Sequence, residues 1–155
     1  MTDYIKGLRK LVGSRPLLQC GASVIVENPA GEILLQLRAD NQCWAYHGGS
    51  VELDERTEDA ARRELHEETG LFARSLELFG VFSGPETHYV YPNGDEVSNI
   101  DIVYLCRDYS GQLSAQPGEV LGVTVVSYST AARQYLASFK GRPAMLCGLP
   151  TKINL

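Results

Sequence analysis

The chain predicts an α/β fold, and three observations predict it. Apolar strand-like runs are interleaved with stretches of helical periodicity. Turn-forming clusters, Asn28-Pro29-Ala30-Gly31 and Pro92-Asn93-Gly94-Asp95, separate consecutive strands. The composition, 44% hydrophobic and 21% charged over 155 residues, is that of a globular protein. One domain spanning residues 1–155 is long enough to bury a core without covalent staples.

The elements follow in order. Within residues 1–14, Asp3–Val12 sets Ile5, Leu8, Leu11 and Val12 on one stripe, a short amphipathic helix able to cover the sheet or a partner. Gln19–Glu27 and Ile33–Arg38 read as two strands joined by the Asn-Pro-Ala-Gly turn. Thr57–Thr69 reads as a helix: Thr57 caps it, Glu58 and Asp59 suit the positive end of the dipole, and Gly70 ends it as a residue free to take positive φ. Ala60, Ala61 and Leu65 form its inward stripe. Ser75–Ser83 is the next strand. His88–Tyr91 and Glu96–Arg107 flank Asn93-Gly94, a strong hairpin signal, and Ile100–Cys106 is apolar enough for a central strand. Val123–Ser127 is strand-like, and Ser129–Ser138 reads as a further helix packing through Ala131, Ala132, Tyr135 and Leu136. The tail after Gly141, with Pro143 and Pro150, takes no assignment, and there is no internal repeat.

Composition also narrows the function classes. No apolar run approaches 18 residues, so no membrane span is expected, and the N-terminal MTDYIKGLRK has no secretory apolar core. Cys20, Cys43, Cys106 and Cys147 form no C-x-x-C pair, which argues against a zinc site and fits reduced thiols in a cytoplasm; Cys20 and Cys106 lie in apolar runs as core residues. The net charge is −5, and there is no basic run, so nucleic acid is not an expected partner. An anionic small molecule must be recruited locally, by metal and a few basic side chains.

The most informative stretch is Gly49–Leu71, GSVELDERTEDAARRELHEETGL. Glu64, Glu67 and Glu68 fall within about a 100° arc of one helix face. Taken alone, such a trio fits a solvated helix surface, where like charges cost only about 0.2–0.5 kcal/mol per pair. Their company argues for a site. Gly48 and Gly49 precede the helix where a backbone can approach a ligand, and Arg63 can pair with Glu67 at i+4 or reach back to Glu55.

This stretch resembles the Nudix box, G-x5-E-x7-R-E-U-x-E-E-x-G-U with U aliphatic. It meets all nine fixed positions: Gly49, Glu55, Arg63, Glu64, Leu65, Glu67, Glu68, Gly70 and Leu71. The resemblance implies an α/β/α sandwich around a mixed β-sheet, and Mg²⁺- or Mn²⁺-dependent hydrolysis of a nucleoside diphosphate linked to another group. Position by position, Glu67 and Glu68 resemble the main metal ligands. Glu64 resembles a further ligand, which serves as the base in some members. Gly48 resembles the residue whose carbonyl joins the metal shell. Arg63 and Glu55 resemble the pair that orients the helix. Two positions depart from the pattern. His47 stands where the family usually has Pro, and is either at the substrate entrance or an exposed loop residue. Asp54 stands where Gly is usual, and Asp tolerates a left-handed backbone.

The chemistry suits these residue types. Hard carboxylate oxygens suit Mg²⁺, which bridges carboxylates to phosphate, and a carboxylate near the attacking water can take its proton. Outside the box, Arg38 closes the run EILLQLR where the family often places a phosphate-binding Arg; its alternative is a surface residue. Glu119 sits in a loop from which some Nudix enzymes draw a ligand or base; its alternative is a solvated loop acid. Tyr46 and Tyr89 are candidates to stack on a base, or they pack in the core or hairpin.

The resemblance leaves the substrate open. Pro85 lies near the marker position of ADP-ribose hydrolases, and Tyr89 near that of dinucleoside polyphosphate hydrolases. The expected activity is pyrophosphate cleavage in a nucleoside diphosphate derivative: ADP-ribose, a nucleotide sugar or a dinucleoside polyphosphate. The alternatives are a house-cleaning triphosphate pyrophosphohydrolase and a non-catalytic nucleotide-binding module. Homodimerisation is common in the family, and the N-terminal helix could serve it.

Overall fold

The computed structural model of the chain describes residues 4–127. In order they form α1 (Tyr4–Val12), β1 (Leu17–Glu27), β2 (Glu32–Arg38), β3 (Trp44–Ala45), β4 (His47–Ser50), α2 (Thr57–Thr69), β5 (Leu71–Ala73), β6 (Glu77–Phe82), β7 (His88–Val90), β8 (Glu96–Cys106), β9 (Tyr109–Gly111) and β10 (Val120–Ser127). The predicted helix Ser129–Ser138 and the tail lie outside the described residues.

The fold is α/β with a mixed sheet. Its strands run β10-β2-β1-β8-β6, with β3 on β2, β4 on β1 and β7 on β8. The long pair β1/β8 is parallel, from Leu17 opposite Val97 to Val26 opposite Cys106, while the other pairs are antiparallel. β1 meets β2 only at Val26 and Glu27, and farther back its edge pairs with β4 instead. Trp44 and Ala45 still pair with β2, so the segment β3–β4 crosses from one strand to the other and delivers Gly48 and Gly49 to the sheet centre.

The alternation of β1 divides the core. Ala22, Val24 and Val26 face α2 and pack on Ala60, Ala61 and Leu65, with Tyr104 and Cys106 beside them. Ile25 faces the opposite side with Ile33, Leu35, Leu37, Trp44, Tyr46 and Val103. Burying Leu65 completely contributes about 1.5–3 kcal/mol, which fixes the helix that carries the acids.

Most predicted elements are present, with several corrections. The α2 N-cap is Arg56, not Thr57; the Thr57 hydroxyl is 2.6 Å from that of Tyr104 and serves packing instead. Gly70 does end α2, at φ 73°, with its N–H on His66 O. The strand expected from Ser75 begins at Glu77, because Leu71–Ala73 first forms an unpredicted two-stranded sheet with Tyr109–Gly111. α1 buries no residue, and Leu11 is 83% exposed. Ile5, Leu8 and Val12 of its apolar stripe are half-buried, and polar bonds fasten the helix, Tyr4 N–H to Glu52 Oε2 and Arg9 to the carbonyl of Glu96. Cys106 is buried as expected, whereas Cys20 lies in the first part of β1, where no residue is buried, and is exposed. Cys20 and Cys106 are free thiols, but Cys43 is disulfide-bonded, so the expectation of reduced thiols fails there. Among the described residues no helix is long and apolar enough to cross a membrane.

Candidate active site

Two glycines let α2 settle against β4. A Cβ on Gly49 would stand 2.5 Å from the Cδ and Oε1 of Glu64, so the carboxylate fills the space a side chain would take. Gly48 adopts φ 153°, and a Cβ there would lie 2.5 Å from Ser23 Oγ and 2.6 Å from Ala22 O. Its N–H donates to Glu68 Oε2 at 3.1 Å.

Arg63 uses all five of its N–H donors, three of them to tie the loop to the helix. Nε donates to Glu55 Oε1 at 2.8 Å, and Nη2 donates to Glu55 Oε2 at 3.0 Å and to Ser50 O at 3.1 Å. Nη1 reaches Glu64 Oε1 at 2.7 Å and Glu67 Oε2 at 3.4 Å. Both pairings read from the sequence, to Glu55 and to Glu67, therefore exist together. Hydrogen bonding to Arg63 holds the Glu55 carboxyl below its usual range. Asp54, at φ 63°, takes the left-handed turn that aims Glu55 at Arg63.

The three acids occupy different surroundings. Burial pushes the Glu64 carboxyl up to about 7 against the pull of Arg63, with the charges of Glu68 and Glu67 adding to the rise. Glu67 is half exposed. Glu68 is buried against Gly48. Among the described residues no three His, Cys, Asp or Glu side chains converge closely enough to hold a metal ion as they stand. Arg63 draws Glu64 and Glu67 toward itself, and the Gly48 N–H holds Glu68. The donor set still fits Mg²⁺ or Mn²⁺: hard carboxylate oxygens within one turn of a fixed helix, beside a glycine backbone.

His47 is neither at an entrance nor in an exposed loop. It opens β4 opposite Val24, on the α2 side of the sheet, and is completely buried. Its Nδ1 lies 3.3 Å from Glu68 Oε2.

A cavity of about 460 Å³ brings three predicted residues together. Glu68, Arg38 and Glu119 line it, with Gln36, Ala39, Asp40 and Gly118. The loop carrying Glu119 is pinned to the end of α2 by Ser114 N–H to Thr69 O at 2.7 Å and Gln116 N–H to Glu68 O at 3.2 Å, and to β2 by Ala39 N–H to Glu119 O at 2.9 Å. These bonds also satisfy carbonyls that the helix end leaves unpaired. Arg38 grips Asp40 through Nε at 2.9 Å and Nη2 at 2.7 Å.

The two tyrosines lie elsewhere, and neither lines that cavity. Tyr46 is buried in the core on the side of the sheet away from α2, and its hydroxyl donates to Asp101 Oδ2 at 2.6 Å; with no open ring face, it takes the packing alternative. Asp101 also accepts from Ser23 at 2.8 Å, and burial raises its carboxyl. Tyr89 is half-buried in the hairpin, edge-on to Tyr91, and its hydroxyl accepts from Asn41. Sequence reasoning missed Asp40, Gln36 and Asp101. Gln36 and Asp101 are lone polar residues in apolar strand runs, a signal that was open to reading; Asp40 carried none.

Comparison with known proteins agrees with this geometry. The family model described as NUDIX domain matches residues 17–146. The ADP-ribose pyrophosphatase of Methanocaldococcus jannaschii is 39% identical over 87 residues, covering 54% of this chain and 48% of that protein. A Bacillus subtilis protein provisionally named an 8-oxo-dGTP diphosphatase is 44% identical over 66 residues, covering 43% of this chain and 44% of that protein. The chain thus spans about half the length, or less, of the curated relatives it matches. The crystal structure of a MutT NUDIX hydrolase from Burkholderia pseudomallei superposes with a TM-score of 0.62 at 24% identity, over 76% of this chain and 95% of that one, a likeness of fold. With the family model covering most of its length and Glu55, Arg63 and the three acids arranged around two glycines, the chain belongs to the Nudix family.

Proposed function

We propose that the protein is a divalent-metal-dependent pyrophosphohydrolase that cleaves nucleoside diphosphate derivatives of the ADP-ribose, nucleotide-sugar or dinucleoside polyphosphate class. The observation that carries this reading is the shared cavity: Glu68 of the acidic helix, Arg38 and Glu119 line one space of about 460 Å³, large enough for a pyrophosphate group. Glu64, Glu67, Glu68 and the Gly48 carbonyl would hold Mg²⁺ or Mn²⁺. When bound, the cation supplies charge that offsets the phosphoryl oxygens and makes nearby water more acidic.

The remaining work falls to the side chains. Arg38 exchanges Asp40 for substrate phosphate, which its planar fork binds in the same bidentate way. Arg63 keeps Glu64 and Glu67 on one side of α2 and ties both to the loop through Glu55. Glu119, which lines the same cavity, takes the proton of the attacking water. The single-domain organisation over residues 1–155 and a homodimer built through the exposed face of α1 belong to the same reading.

A second reading, hydrolysis of normal or oxidised nucleoside triphosphates, is supported by the Bacillus subtilis relative. A substrate panel with Mg²⁺ tests both: ADP-ribose, nucleotide sugars, dinucleoside polyphosphates, and normal and oxidised triphosphates. Glu68→Gln is expected to lower turnover by orders of magnitude with the fold intact. An unimpaired Glu68→Gln protein, or a panel without metal-dependent turnover, rejects the enzyme reading in favour of a nucleotide-binding module.

A further inference from the structure

Two positions of β4 lie under two acids of α2. Residues i and i+2 of a strand are about 6.8 Å apart, and residues i and i+4 of a helix about 6 Å, so the two elements keep step for one turn. Glu64 sits over Gly49, where the missing side chain leaves it room. Glu68 sits over the preceding position on the same face, and that position is His47. Where the first acid is given space, the second is given an imidazole.

The imidazole has little else to bind. Among the described residues neither ring nitrogen of His47 has a hydrogen-bond partner, and the residue is completely buried. A buried polar group in that state calls for an explanation. Glu68 Oε2 lies 3.3 Å from Nδ1 but out of line for a hydrogen bond. The terminal torsion of a glutamate is broad and soft, so a modest turn of the carboxylate brings the two into line while Oε2 stays beside the Gly48 N–H. A carboxylate only accepts, so the ring must carry its hydrogen on Nδ1.

We infer that His47 is a positioning residue that donates from Nδ1 to Glu68 and, together with the Gly48 N–H, fixes the carboxylate that grips the divalent cation. This inference rests on the metal-site reading proposed above. It applies to carboxylate ligands the general rule that ligands are themselves oriented by hydrogen bonds, whose loss typically weakens metal affinity 10–100-fold.

The test measures binding, without turnover. Free Mn²⁺ is followed by electron paramagnetic resonance in titrations of wild type, His47→Leu, His47→Asn and Glu68→Gln, with thermal melting to check folding. His47→Leu keeps an apolar filling without a donor, and should bind Mn²⁺ about 10–100-fold more weakly. His47→Asn places an amide N–H near the former Nδ1 and should recover most of that loss. Binding by His47→Leu within about twofold of wild type, with Glu68→Gln impaired, overturns the role of His47 alone. Wild-type binding by Glu68→Gln overturns the metal-site reading and this inference with it. A third measurement needs no variant: long-range nitrogen–proton correlation on ¹⁵N-histidine-labelled wild-type protein should show a hydrogen on Nδ1 of His47, and a ring that carries its hydrogen on Nε2 alone overturns the inference.

Discussion

Glu64 occupies the volume that a side chain at Gly49 would need: a Cβ there would fall 2.5 Å from the glutamate's Cδ and Oε1, and 2.7 Å from its Oε2. The glycine therefore acts through space, independently of any unusual backbone angle. Gly49→Ala must push the Glu64 carboxylate off β4 and out of its bond to Arg63. The expected outcome is a loss of Mn²⁺ affinity of about tenfold or more, with kcat down at least as far, while the circular dichroism spectrum stays that of wild type. Isothermal titration with Mn²⁺ reads this directly, and unchanged affinity would remove Glu64 from the ligand set.

The raised carboxyl of Glu64 makes stability depend on pH in a defined sense. Its folded value is about 7 against 4.5 for the ordinary group, so the folded protein holds the proton that the unfolded chain releases first. Between about pH 4.5 and 7 this residue's contribution falls as pH rises, and above 7 the loss is complete. Glu55 opposes it, because its lowered value contributes stability that is lost on acidification below the ordinary carboxylate range. Glu64→Gln should accordingly raise the melting temperature of the metal-free protein at pH 8 and leave it nearly unchanged at pH 4.5. Added Mg²⁺ should raise the wild-type melting temperature more at pH 8 than at pH 5, since the cation must displace the proton. Equal shifts at the two pH values would contradict this account.

How much of this was legible in the sequence depended on whether the cue was local. The helix Thr57–Thr69, its inward Ala60, Ala61 and Leu65, and the Arg63–Glu55 tie follow from spacing and from the family pattern, and all are present. Thr57 looked like a cap because Thr favours that place, but a tertiary bond to Tyr104 outweighed the local preference. The strand Leu71–Ala73 was hidden because three residues after a helix carry no period, and its partner Tyr109–Gly111 lies far along the chain. His47 looked like loop because its burial comes from the crossing of β3–β4 between β2 and β1, which no local pattern encodes. Tyr46 lay just before the glycines, yet strand alternation turned its ring to the side of the sheet opposite His47.

Asp40 occupies the guanidinium of Arg38 in the substrate-free protein, and both side chains are about a third exposed, at 35% and 28%. A pair in that setting is worth up to about 1 kcal/mol. Substrate phosphate must displace it, so the pair raises KM by up to about fivefold, the equivalent of that energy. Asp40→Asn should lower KM two- to fivefold and leave kcat within twofold. Arg38→Ala should raise KM well beyond that. A rise in KM for Asp40→Asn would show that Asp40 orients Arg38 for substrate rather than competing with it.

Glu119 is held in the cavity by its main chain, through the bond from Ala39 N–H to its carbonyl, with Gln116 fixed to the end of α2. Replacing only its side chain should therefore leave the loop where it is, so Glu119→Gln isolates the chemistry of the carboxylate. If that carboxylate takes the proton of the attacking water, kcat falls by about 10²-fold or more, while KM and Mn²⁺ affinity hold. Steady-state kinetics at saturating Mg²⁺ with the best substrate of the panel decides it. A fall smaller than about tenfold lies below the usual range for a general base and would return the role to Glu64, whose carboxyl already sits near the working pH. That alternative carries its own signature. With Glu64 as the base, the activity of wild type would rise through the pH at which Glu64 loses its proton, and Glu119→Gln would leave that limb of the profile in place.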